Sequence, residues 1–233
     1  RTYFIFGGSD MKRILATLAL VVALALPGLA QAEVNGVYFA PKFLMSIQDT
    51  GNISRPYSDM TDESYSQFTL GGALAIGYDF YPQQQIPLRA EIEFAMRGNS
   101  EKTWSDGGVN VRDVKGTWNN STLFANLFWD FHNDSAFTPY IGAGLGLAFN
   151  YTGYDFTTNS GDKFSADDRF TNFAWNVGVG ASYSFNENLA IDASYRFVGL
   201  GYNEVTAHAG SSKYEIGSDP YNNEFMLGLR FAF

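Results

Sequence analysis

Residues 88–97, Leu88-Arg89-Ala90-Glu91-Ile92-Glu93-Phe94-Ala95-Met96-Arg97, place Leu88, Ala90, Ile92, Phe94 and Met96 on one face and Arg89, Glu91, Glu93 and Arg97 on the other. A repeat of two is the geometry of a strand, in which successive side chains point to opposite faces, and it is incompatible with an amphipathic helix. The same repeat returns over Phe68–Phe80, Leu123–Phe131, Ile141–Phe149, Phe173–Phe185, Leu189–Phe197 and Phe225–Phe233, and less cleanly over Val37–Ile47. Eight candidate strands of about 9–14 residues follow.

In a soluble sandwich the charged face would meet water and the apolar face a core. In a membrane barrel the apolar face meets lipid and the polar face a lumen. Residue size separates the two. One face of nearly every strand is bulky and apolar, and the other is Gly, Ala, Ser, Asn or charge. Eight strands enclose room for modest side chains only, so the small, polar face is read as the inner one. Tyr78, Trp129, Tyr140, Tyr151, Trp175 and Tyr183, towards strand ends, are read as interfacial aromatics on the outer face. A soluble lipocalin-like barrel would reverse the two faces.

Connection lengths alternate. Stretches 48–66, 98–121, 152–171 and 199–221 are long and polar, whereas 81–87, 132–138 and 186–188 are short, with Pro, Asn and Asp turn chemistry. Outer-membrane barrels show this asymmetry, with short periplasmic turns and longer extracellular loops. An even strand number puts both ends of the barrel on the periplasmic side. The expected fold is all-β, an eight-stranded antiparallel transmembrane barrel.

Composition excludes several alternatives. Of 233 residues, 39 are aromatic, which argues against disorder. The 24 acidic and 15 basic residues disfavour nucleic-acid binding. With no Cys there are no disulfides, thiolate metal sites or cysteine nucleophiles.

Residues 11–32 read as a secretory signal peptide. Lys12 and Arg13 form its basic start, Ile14–Leu26 an apolar run too short to span a bilayer as a helix, and Ala30 and Ala32 its cleavage site. The ten residues before Met11 sit ahead of that start and are set apart, so 1–32 is expected to be upstream sequence plus leader and 33–233 the barrel domain. The mature chain then carries a net charge near −11.

By strand parity, Lys42, Arg89, Arg97, Arg196 and Arg230 point inward with Asp79, Glu91, Glu93, Asp130, Asp192 and Glu224. Unpaired buried charge is costly, so these groups are expected to pair. They would form either a salt-bridge plug or a narrow gated ion path.

Catalysis finds little support. His132 falls in a short turn with Asp134 and Ser135, and His208 in the last long stretch. Asp59, Asp62, Glu63, Asp167 and Asp168 lack the spacing of a calcium loop. Gly142, Gly144 and Gly146 keep strand parity and open no helix, so they are read as lumen positions leaving space for long charged side chains. No cofactor or metal is expected. The four long stretches hold 14 acids against seven bases, with Tyr57, Tyr65, Trp104, Trp118, Tyr154, Tyr202 and Tyr214 among them. They are either a contact surface or hydrophilic loops standing above lipopolysaccharide.

The chain finishes on Phe225-Met226-Leu227-Gly228-Leu229-Arg230-Phe231-Ala232-Phe233. Phe225, Leu227, Leu229, Phe231 and Phe233 resemble the terminal strand of bacterial outer-membrane proteins, which the resemblance implies is read by the barrel-assembly machinery. Thr138–Ala148 is similar to a strand common in porin-like and surface-antigen members of the OmpA-transmembrane-domain, OmpX and Opa-like superfamily. The resemblance covers Glu33 to Phe233 and implies an integral protein of the bacterial outer membrane, most simply a monomer; with no room after Phe233 for a peptidoglycan-binding domain, a barrel alone is expected. The functions it leaves open are a structural, adhesive or antigenic surface protein, a narrow porin, and a lipid-modifying enzyme. The last fits least, because the residues around His132 break the His-x-Ser arrangement of lipid A deacylases.

Overall fold

A computed structural model of the chain describes residues 35–49, 51, 66–105, 111–158, 160–161, 163–209 and 212–233. The leader, with Ala30 and Ala32, and the loop acids Asp59, Asp62 and Glu63 lie outside the described residues.

The described chain is almost wholly β. Its strands are β1 (Val37–Asp49), β2 (Ser66–Asp79), β3 (Leu88–Arg97), β4 (Ser100–Ser105), β5 (Val111–Asp130), β6 (Phe137–Thr158), β7 (Lys163–Ser184), β8 (Leu189–Gly199), β9 (Asn203–Ala209), β10 (Ser212–Ser218) and β11 (Tyr221–Ala232). One helical turn, α1 (Tyr81–Gln84), follows β2.

Every pairing is antiparallel; β3–β5 passes over β4, β8–β11 passes over the β9–β10 hairpin, and β1 pairs with β11 as well as β2 and so shuts the sheet on itself. β3 and β4 pair with the lower and upper parts of β5 and count as one interrupted wall position. The ring of eight is therefore β1, β2, β3/β4, β5, β6, β7, β8 and β11. Closure leaves no free edge around that ring, the only way a sheet satisfies its backbone in lipid.

The outer surface carries the bulky apolar face. Ile76, Leu145 and Phe173 are each more than 60% exposed, and Ile92, Leu127, Val179, Phe225 and Leu227 share that surface. A water-facing domain rarely exposes so large an apolar patch. Aromatic side chains gather near strand ends. Tyr78 meets Phe80, Tyr183 meets Phe185, and Phe197 lies between Trp175 and Tyr221.

Three expectations need correction. The long polar stretches 98–121 and 152–171 are mostly strand: β5 runs for 20 residues and β6 and β7 for 22 each. Beyond the bilayer no lipid demands a bulky apolar face, so no bulky-against-small contrast marks these extensions in the sequence. The last long stretch also folds, into the separate β9–β10 hairpin.

Second, Tyr140 lies inside the barrel rather than on its outer aromatic band, with its hydroxyl on Asp192. Third, the lumen holds large side chains: Tyr38, Leu44 and Phe124 are fully buried there beside Phe128. The glycines make the room. A Cβ on Gly142 would strike the Phe128 ring, and one on Gly180 would strike Tyr140. Long polar side chains use the same device, Arg196 lying against Gly178 and Lys42 against Gly228.

Candidate functional site

Strand parity delivers the charged side chains to the lumen, and the stagger of neighbouring strands decides which of them meet. Glu91, Lys42, Glu93, Arg196, Glu224 and Arg97 form one unbroken chain of ion pairs. Lys42 Nζ lies 2.5 Å from Glu91 Oε1 and 2.7 Å from Glu93 Oε2. Arg196 donates from Nη1 to Glu93 Oε1 at 2.6 Å and from Nε to Glu224 Oε2 at 2.7 Å. Arg97 Nε completes the run at 2.5 Å from Glu224 Oε1.

β3 and β8 stand opposite each other in the ring, so the Arg196–Glu93 pair spans the full width of the lumen. Every member of the chain has at least 89% of its side chain out of solvent contact. Removing an ion from water costs several kcal/mol, and only good pairing geometry with additional hydrogen bonds offsets it. Glu224 has both: two guanidinium donors, and the amide of Asn222 at 3.2 Å.

A second pair lies towards the short-turn end. Arg89 grips Asp130 by Nε at 2.6 Å and Nη2 at 2.9 Å, the two-pronged geometry that favours arginine over lysine. Its guanidinium also lies 4.9 Å from the centre of the Phe128 ring and 4.8 Å from that of Tyr140. Arg196 stands over Phe124 in the same way. In a water-poor lumen, contact of a cation with an aromatic face is worth about 2 kcal/mol.

The remaining charged positions differ. Among the described residues Arg230 has no carboxylate partner; it donates to Ser182 Oγ at 3.2 Å and lies over Tyr38. Asp192 accepts the Tyr140 hydroxyl at 2.6 Å. Asp79 leaves the network altogether. It is half-buried at the short-turn end and accepts the Tyr81 backbone N–H at 2.9 Å, shaping the turn into α1.

A second tie crosses the lumen above the ion pairs. Asn222 Nδ2, on β11, donates to Asn120 Oδ1, on the facing strand β5, at 3.2 Å. Over it, a small recess of about 50 Å³ opens at the long-loop end, lined by Gln48, Asn120, Asn150, Asn222, Thr152 and Trp118 among others. Parity turns these amides inward, but sequence reading followed charge and passed over them.

Catalytic and metal chemistry have little to work with. The ring of His132 is stacked on Tyr81 at 3.5 Å in an exposed turn, and Ser135 is bound to Asn133 and Phe137 as a turn former. The side chain of His208 lies outside the described residues. Asp167 and Asp168 are exposed on β7, and no cluster of three metal-binding side chains occurs among the described residues.

Residues 16–233 match the family described as Outer membrane protein beta-barrel domain. The chain belongs to that family. Within this outer-membrane barrel family, it is 31% identical to Outer membrane protein PagN of Salmonella typhimurium over 96% of this chain and all of PagN. It is 25% identical to the candidate adhesin RC1281 of Rickettsia conorii, over 69% of this chain and 66% of that one. The solved structure of Neisserial surface protein A shares the barrel fold at a TM-score of 0.51 and 17% identity, with 87% of this chain and all of the other covered.

The protein is thus an integral barrel of the bacterial outer membrane. Its bulky apolar band faces lipid.

Proposed function

We propose that this barrel is a non-catalytic surface contact protein of the outer membrane, adhesive or antigenic, acting through its extracellular end. The observation that carries the reading is the Arg196–Glu93 pair, which ties opposite walls in the middle of a continuous ion-pair chain. A lumen crossed in this way serves as a brace and leaves the exterior as the working surface. The extended β4–β7 wall supports the reading, because it carries exposed strand well beyond the roughly 9–11 residues a bilayer requires. Similarity to a candidate adhesin points the same way.

The same reading assigns the outward face of β11 to recognition by the barrel-assembly machinery. Phe225 and Leu227 are half-exposed on that face, Leu229 and Phe233 are partly covered, and Phe231 is fully covered where it pairs with Phe39 and Leu189. Lipopolysaccharide of the outer leaflet is the natural neighbour of the apolar band.

The test is attachment. Cells of a non-adherent host strain producing the protein should bind cultured epithelial cells several-fold better than cells producing a version with residues 100–118 and 152–171 replaced by short turns. Both versions should show the heat-dependent gel shift of a folded barrel. Equal attachment by the two would sink the contact reading.

A further inference from the structure

Above the barrel, strands β4 to β7 form a wall with two unlike faces. Trp104, Val114, Phe156 and Phe164 stand in one cross-strand row, one residue from each strand. The next row of that parity, nearer the membrane, holds Lys102, Gly116, Tyr154 and Ala166. Rows of the other parity are polar: Thr103, Lys115, Asp155 and Ser165, then Glu101, Thr117, Gly153 and Asp167. The apolar rows share the parity of Asn120 and Asn150, which are buried in the lumen, so that side of the wall rises over the barrel mouth. An antiparallel sheet with one apolar and one polar face is built to be covered on the apolar side.

The β9–β10 hairpin has the complementary pattern. Val205 pairs with Ile216 and Ala207 with Tyr214, whereas Glu204, Thr206 and His208 pair with Gly217, Glu215 and Lys213. An even number of residues separates Tyr214 and Ile216 from Asn222 and Glu224, the lumen positions of β11. Among the described residues the hairpin pairs with no other strand. Two strands alone are marginal in water and need a surface to pack on.

The base of the hairpin is fastened. Asn172 of β7 donates from Nδ2 to the carbonyls of Leu200, at 3.4 Å, and Tyr202, at 3.0 Å. The two legs meet where the Leu200 N–H donates to the Pro220 carbonyl at 3.1 Å. Between the anchored carbonyls, Gly201 turns the chain at a φ of +75°, and a Cβ there would meet the Phe173 carbonyl at 2.8 Å.

From these features we infer that β9–β10 is a hinged cap, turning at residues 200–202 to lie across the apolar face of the β4–β7 wall. Closed, it buries that face and roofs the mouth. Open, it presents the aromatic row to the exterior. Sheets stacked face to face interdigitate their side chains at a spacing of about 10 Å, so cap and wall need no shared ladder. The cap regulates access to the surface invoked under the proposed function, and it rests on that reading in placing this end of the barrel outside the cell.

The chain has no Cys, so one introduced thiol reports its own exposure. On intact cells, with rates taken relative to the unfolded protein, Ala166→Cys on the apolar face should react slowly with a membrane-impermeant maleimide. Ser165→Cys on the polar face should react rapidly. Replacing residues 203–218 with a short Gly-Ser turn should speed the Ala166→Cys reaction about tenfold, the ratio for a cap closed about nine-tenths of the time. The same replacement should leave Ser165→Cys unchanged. Gly201→Val, which wedges the hinge off β7, should raise the Ala166→Cys rate in the same direction. A bifunctional maleimide should join Ala166→Cys to Ala207→Cys within one chain. The heat-dependent gel shift verifies folding of each version.

Equal rates at the two thiols in the intact hairpin would mean that the face is never covered. Slow reaction that persists without the hairpin would assign the cover to a second copy or another protein. Either result overturns the cap. The attachment assay separates this outcome from the contact reading. A protected thiol with attachment unchanged by the crosslink keeps the cap and moves the contact surface elsewhere, and attachment with an unprotected thiol does the reverse.

Discussion

Glu224 is the most heavily committed residue in the lumen, holding Arg97 and Arg196 while fully buried. Replacing it with Ala leaves two guanidinium groups facing one another in a fully buried site. Removing one partner of a buried pair costs about 3–5 kcal/mol, so Glu224→Ala should shift the urea unfolding midpoint of vesicle-reconstituted protein sharply downward. An unchanged midpoint would mean that water already screens the site. Gly142 gives a steric counterpart. Gly142→Val drives a side chain into Phe128, and overpacking of this kind costs about 1–3 kcal/mol in the same titration. Parity in the sequence was enough to turn Glu93, Arg196 and Glu224 inward. It could not say that Arg196 meets Glu93 while Arg230 meets Ser182, because partners across a barrel are set by strand tilt and stagger. Tyr140 was misplaced for a related reason: an aromatic near a strand end fits an interfacial belt, and only the glycine beside it, Gly180, marks the space it occupies inside.

At the scale of elements, the eight wall positions were legible because lipid on one side and a polar lumen on the other impose opposite demands on alternate residues. Where β5, β6 and β7 continue into water, those demands vanish and so does the signal. The difference between the two zones is measurable. Leu145→Arg, on the lipid-facing surface of β6, should cost about 2–4 kcal/mol in unfolding free energy in vesicles. Thr117→Pro, in the extension of β5 where strands pair on both sides, should leave the gel shift intact, because the membrane-embedded ladder is untouched. On whole cells, however, it should expose the extended wall to proteinase K. Resistance equal to that of the unmodified protein would show that the extension contributes nothing to order beyond the membrane.

For the molecule as a whole, the ion-pair chain and the wall form a single closed body, and its permeability follows from that. In planar bilayers the protein should be electrically quiet. The double variant Glu93→Ala, Arg196→Ala removes both ends of the tie between β3 and β8 and should admit small, brief ionic openings, whereas Arg89→Ala leaves that tie in place and should stay quiet. Steady openings in the unmodified protein would favour the narrow porin reading instead.

The seam has a further consequence, in time rather than in space. β1 finds half of its backbone partners in β11, across nearly the whole described chain, and ten register positions must come together to join them. Closing so long a loop is entropically the slowest pairing available to the barrel. Until it happens, Lys42 cannot settle between Glu91 and Glu93 against Gly228, nor Glu224 beneath Arg97. A slip of one residue at the seam would turn every lumen charge of β11 towards lipid. The ion pairs thus act as a proofreading step, since only the correct register lets the last gap shut with its charges matched.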